Sequence, residues 1–130
     1  MTVESNKAAV RRFTEALDSN DLTALTEVCT PACAEEWSGG INSDPWADHH
    51  IAVKQMIAEG DFLVTVVETR GRIVGDFYGV PGQGKPFTNK GAVVYGFEGG
   101  RIASVDPYFD DLKIATEQLG ASLVPAQPGG

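Results

Sequence analysis

Cysteine is scarce in this chain of 130 residues: Cys29 and Cys33 are the only two. A CxxxC spacing with no histidine beside it fits neither a zinc site nor the CxxC of redox proteins. The pair reads as two small apolar fillers where a helix meets a strand. Positive charge is short as well. Ten Lys and Arg stand against eighteen Asp and Glu, a net charge of −8. This excludes nucleic acid and acidic membrane surfaces as partners, because both demand a basic face. No apolar run is long enough to cross a bilayer. The opening MTVESNKAAVRRF has no signal-peptide h-region and reads as a helix start, so a cytoplasmic protein is expected. Neither a Ser/His/Asp set, a phosphate loop nor a metal-ligand cluster is visible, and the expected cofactor is none.

The chain does contain ordered periodicity. Its length fits one domain over residues 1–130, with a loose tail at 121–130. An apolar share of 42% supports one core with room for one cavity. From Val3 to Ser19, Ala9, Val10, Phe13, Ala16 and Leu17 recur at helical spacing. A second helix carries Leu22, Leu25 and Val28, capped by Asn20 or Asp21, and Pro31 closes it. Ala32 to Ser38 reads as a short strand carrying Glu35, Glu36 and Trp37. In the turn-rich stretch GGINSDPWADHH, Ser43 or Asp44 before Pro45 is a helix-start signal with room for a turn or two.

After His49 the period becomes two. Ile51, Val53, Gln55 and Ile57 share one face; Ala52, Lys54 and Met56 share the other. Glu59-Gly60-Asp61 marks a hairpin. Phe62 to Arg70, FLVTVVETR, reads as a central strand covered on both faces. GDFYGVPGQGKP is a Gly/Pro-punctuated loop, and Phe87 to Phe97 is the next strand. Gly99-Gly100 turns into a last strand from Arg101 to about Val105, ended or bulged at Pro107. Asp110 or Asp111 caps a final helix, Leu112 to Leu119. Helices followed by hairpin-linked strands give an α+β fold: a strongly curved, mainly antiparallel sheet, with amino-terminal helices enclosing one apolar pocket.

Four stretches in this order resemble the SnoaL-like polyketide cyclases of the nuclear-transport-factor-2-like fold, a cone-shaped α+β barrel. They are NKAAVRRFTEALDSNDLTALTEVCTP, VKQMIAEGDFLVTVVETRG, GDFYGVPGQGKPFT, and GAVVYGFEGGRIASV with the later EQLG. Between Trp37 and His49 the chain is about a dozen residues long, too short for the full helix the family carries there. The pocket is therefore more open on that side, or filled by Trp37 and Trp46.

The resemblance implies cofactor-free acid/base catalysis that closes a ring on a polyketide-derived or similarly apolar intermediate. It also implies a homodimer formed through the outer sheet face, here including Ala52 and Met56. In an apolar pocket, a desolvated carboxylate moves its proton affinity toward neutrality, and an imidazole is the side chain that titrates nearest neutrality to begin with. The family's acid/base aspartate falls at Pro107 in this chain and its helpful histidine at Val93, neither of which exchanges a proton. Displaced groups must then act. Asp106, swung inward by a bulge, Glu36 and His49 are the expected catalytic residues. Asn89 and Tyr95, on the face of Val93, are expected to hold a substrate carbonyl. Trp37, Trp46, Phe77 and Tyr108 are expected walls. Asp110 and Asp111 read as helix caps. Two alternatives stand beside this: an epoxide-opening enzyme using Glu35 or Glu36 with Asp106, and a non-catalytic small-molecule binder or scaffold.

Overall fold

The computed structural model describes residues 2–41 and 43–125. Helix α1, Val3–Ser19, opens with a capping box between Thr2 and Ser5. Its apolar stripe, Val10, Phe13, Ala16 and Leu17, is buried. Helix α2, Leu22–Val28, is capped by Asp21, which accepts from the Ala24 N–H at 3.3 Å.

The chain then departs from the expected strand at Ala32 to Ser38. Pro31–Glu36 is a short helix, α3, with Pro31 in its first turn and Thr30 as its cap. Proline opens a helix as readily as it closes one, because its missing N–H would be unpaired there anyway. Cys33 and Ala34 face the core, while Glu35 and Glu36 face out.

The Ser43–Pro45 signal starts no helix. The Asp44–Pro45 bond is cis and leads directly into β1, Trp46–Glu59. The remaining strands are β2 (Phe62–Ile73), β3 (Asp76–Phe77), β4 (Val80–Pro81), β5 (Lys85–Glu98) and β6 (Arg101–Phe109). The main sheet has the order β1-β2-β5-β6 and is antiparallel throughout, joined by turns at Gly60-Asp61 and Gly99-Gly100. Among the described residues it does not close on itself.

Two bulges in β1 set which side chains face inward. In the first, Asp48 and His49 oppose the single residue Gly71, and Asp48 takes a φ of 53°. In the second, Lys54 is the extra residue between Val53 and Gln55. It exchanges the two faces, so Met56 and Ala58 pack on the core and Ile57 turns outward, 54% exposed. This corrects the expected outward position of Met56.

β2 and β5 are the central strands, but β2 is covered by this chain on one face only. Leu63, Thr65, Val67 and Thr69 are buried, whereas Phe62 and Val66 are exposed. β6 runs straight through Pro107 to Phe109, with its irregularity near Ala103. An edge strand can offer Pro107 a position that needs no N–H donor.

Helix α4, Asp111–Lys113, continues as a π-helical turn, Ile114–Gln118, and is capped by Asp110, which accepts from the Lys113 N–H at 3.0 Å. Gln118 clamps β5 through both backbone groups of Thr88, at 2.8 and 2.7 Å. This docks Ile114, Ala115 and Leu119 against Ile73, Phe77 and Phe87, a second apolar cluster beside the main core. Residues 126–130 of the expected loose tail lie outside the described residues.

Candidate active site

The helices and the inner sheet face enclose a cavity of about 360 Å³. Phe13 and Leu17 of α1 form one wall, and Trp37 and Ile41 the side after α3. The sheet supplies alternate residues: Val67 and Thr69 from β2; Phe87, Asn89, Val93 and Tyr95 from β5; Val105, Pro107 and Phe109 from β6. Trp46, His49 and Ile51 come from β1. The first bulge makes this last set possible. On a regular strand Trp46 and His49, three apart, would face opposite ways; the extra residue brings both inward.

His49 is 7% exposed and wedged between aromatic rings, with centroids 5.5 Å from Trp46 and 5.7 Å from Phe87. Burial, and then the neighbouring charge of His50, pushes its pKa down to about 4. The imidazole is therefore neutral at ordinary pH. His50 points out and pairs with Asp18 of α1 at 2.7 Å, while Asp18 also accepts from the Ile51 N–H at 3.2 Å. Burial holds the Asp18 carboxyl above its usual range, despite those two partners. The contact ties α1 to β1 just beside the bulge.

Asn89 is 7% exposed and its side-chain carbonyl accepts from the Lys90 N–H at 3.0 Å. That fixes the amide and leaves its NH₂ as the group available to a ligand. Tyr95 is 4% exposed and stacks edge-on against Phe13 at 5.8 Å. Burial pushes its phenol up to about 12, against the opposing effect of the Thr14 and Thr65 hydroxyls beside it, so it remains a neutral donor. Trp37 Nε1 is buried with no hydrogen-bond partner among the described residues.

His49, Asn89 and Tyr95 thus meet on one inward face, and Trp37 and Trp46 join them as walls. Four other expected residues do not. Asp106 pairs with Val94 on the outer face, because β6 has no bulge at Pro107 to turn it. Glu36 is exposed at the end of α3, since the segment is helical. Tyr108 is 63% exposed, one residue out of the inward register. Phe77 is buried in the second cluster, edge-on to Trp46 at 5.4 Å, behind the wall instead of in it.

Two carboxylates that sequence reasoning passed over do line the cavity, Asp44 and Asp111. Asp44 was hidden inside a helix-start signal. Of the two candidate caps, Asp110 performs the capping and leaves the Asp111 carboxylate to the cavity. The signal for Asp111 was parity, since it continues the inward series Val105, Pro107, Phe109. Cys29 and Cys33 are free thiols, each 1% exposed. Burial, and then Cys33, pushes Cys29 up to about 12, which leaves it unreactive.

The model of the SnoaL-like polyketide cyclase family matches residues 44–118, the span from the cis proline to the carboxy-terminal turn. No match emerges among curated protein sequences. Several solved structures share the fold. TsrD from Streptomyces laurentii is 22% identical with a TM-score of 0.73, covering 94% of this chain and 99% of its own. A SnoaL-like polyketide cyclase from Agrobacterium tumefaciens is 16% identical with a TM-score of 0.76, over 88% and 98%. A nuclear-transport-factor-2-like protein from Burkholderia pseudomallei is 21% identical with a TM-score of 0.72, over 93% and 100%.

Proposed function

This chain belongs to the SnoaL-like polyketide cyclase family, and from that premise we propose that it closes a ring on an enolisable, largely apolar, polyketide-derived intermediate by proton transfer without a cofactor. The observation that carries this is His49, a neutral imidazole buried in the wall of an apolar cavity. A cavity of about 360 Å³ suits a compact one- or two-ring product.

The step balances within the site. His49 takes a proton from a carbon flanked by carbonyls, and the Asn89 NH₂ holds the oxygen on which enolate charge develops. The enolate carbon then bonds to a second carbonyl carbon of the same chain. The alkoxide so formed takes the proton back from His49. The walls fold the flexible substrate so that its two carbons meet, which removes much of the entropic barrier. Tyr95 and Trp37 supply neutral donors that orient further oxygens.

The same chain acts as a homodimer in the cytoplasm, pairing through the outer sheet face, where Ile57, Phe62 and Val66 are exposed. A second reading is epoxide opening by paired carboxylates. Glu35, Glu36 and Asp106 do not support it, because none lines the cavity; Asp44 and Asp111 do. A non-catalytic binder is favoured by Val93 and Pro107 alone.

Incubation with a linear tri- or tetraketone, followed by mass spectrometry, tests the reading. Wild type is expected to give cyclised product, and His49→Gln to slow it by about a hundredfold or more. Equal rates for the two proteins would sink the assignment of His49. Turnover of an epoxide that depends on Asp44 and Asp111 would replace the ring-closure reading with the second.

A further inference from the structure

Residues 75–84 form a short arm beside the cavity. β3 and β4 pair Phe77 with Val80, which leaves Tyr78 and Gly79 as a two-residue turn with φ of 52° and 82°. Both ends of the arm touch a cavity carboxylate. At the root, the Asp44 carboxylate lies so close over Gly75 that a Cβ there would meet Oδ1 at 1.9 Å. At the tip, the Tyr78 hydroxyl donates to Asp111 Oδ2 at 2.9 Å. Between them, Phe77 anchors the arm against Trp46.

Tyr78 is unusual on two counts. It is 77% exposed, and it holds a left-handed backbone conformation disfavoured for a bulky side chain. Burial does not explain its place. One ring contact with Phe77, at 4.8 Å, and the bond to Asp111 hold it.

We propose that Tyr78 is a positioning residue for the cavity: its hydroxyl fixes the Asp111 carboxylate in the wall, where the other carboxylate oxygen receives an enol or hydroxyl of the substrate. The inference rests on the cavity being the substrate site proposed above. It narrows the substrate to one with a hydrogen-bond donor at the Asp111 end and a carbonyl at Asn89. Asp111 Oδ1 has no hydrogen bond among the described residues, so one oxygen is held while the other stays available. Without the Tyr78 hydroxyl the carboxylate regains rotamer freedom, and each binding event must order it again.

Two measurements test this without needing turnover. The first is the phenol titration of Tyr78, read at 295 nm as the difference between wild type and Tyr78→Phe. The bond to Asp111, followed by that carboxylate's charge, holds the phenol above its ordinary value. In Asp111→Asn it is expected to return to about 10. The second is the affinity for 1-naphthol, a neutral aromatic bearing one donor, followed by amide chemical shifts. Tyr78→Phe and Asp111→Asn are each expected to weaken it by about threefold or more, and the double variant no further. An ordinary titration in both backgrounds, unchanged affinity in Tyr78→Phe, or additive losses in the double variant would each overturn the proposal. If naphthol does not bind wild type at all, the cavity reading falls and this proposal with it. If it binds and the couplings hold while no ketone is turned over, only the ring-closure reading falls.

Discussion

Val93 and Pro107 stand opposite one another on β5 and β6, and both side chains line the cavity. These are the two positions where the resemblance to the family puts a histidine and an aspartate. The inward register is kept and the chemistry at it is gone. In the ring-closure proposal, proton transfer therefore starts from the opposite edge of the sheet, where the β1 bulge presents His49 to the same cavity.

The neutral state of His49 couples stability to pH. The unfolded imidazole takes its proton near 6.5 and the folded one only near 4. Between these values the unfolded chain binds more protons, so stability rises with pH. The contribution is complete above about 6.5 and is lost as pH falls toward 4. It is expected to be on the order of 3 kcal/mol. Asp18, raised by burial, acts with the opposite sign just above its ordinary value and flattens the acid end. Urea melts across this window check the slope, which His49→Gln should remove. Wild type with a flat profile between 4.5 and 6.5 would contradict the burial of a neutral imidazole.

Gly71 is required by the bulge that aims His49. A Cβ there would meet Ala47 O at 2.8 Å, Phe87 Cε1 at 3.0 Å and Asp48 O at 3.1 Å. Two of these contacts are backbone and yield little. Gly71→Ala is expected to cost about 1–3 kcal/mol and to weaken ligand binding. Both tryptophans, Trp37 and Trp46, line the cavity, so intrinsic emission reports occupancy in the same samples. An unchanged melt and an unchanged titration would show that the bulge tolerates a side chain.

Asp106 and Glu36 face solvent. Asp106→Asn and Glu36→Gln are expected to leave the cyclisation rate within about twofold of wild type, as surface changes usually do. A large loss in either would restore the acid/base role that sequence position suggested for it.

The outer sheet face carries Phe62 at 62%, Ile57 at 54% and Val66 at 39% exposure. If two copies cover this face, Val66→Lys places a charge where no partner can pair it. Sedimentation is expected to show a dimer for wild type and a monomer for Val66→Lys, with the fold intact by circular dichroism. Two proteins of equal mass would refute the interface.

The sequence by itself determined the elements whose period is unambiguous: α1, the hairpin at Gly60-Asp61, and the inward set Asn89, Val93 and Tyr95. Each depends on neighbours two to four residues apart, and those spacings survive folding. Sequence also determined that Val93 and Pro107, the positions where the resemblance puts a histidine and an aspartate, carry no titratable side chain. What only the tertiary structure decided were the departures from regularity. Pro31 could close one helix or open another, and the packing of Cys33 and Ala34 on the core chose the second. A bulge at Pro107 was plausible locally, yet unbroken pairing with β5 from Ser104 to Phe109 kept that stretch of β6 regular and left Asp106 outside. The bulges of β1 fell at Asp48 and Lys54, where nothing in the local pattern marks them. They follow from long-range pairing with β2, and the first depends on Gly71 leaving room more than twenty residues away. Parity marks Asp111 for the cavity side, and the docking of the carboxy-terminal turn on β5 completes its place in the wall. Period fixes a residue's face within one strand; pairing across strands decides where that period is interrupted.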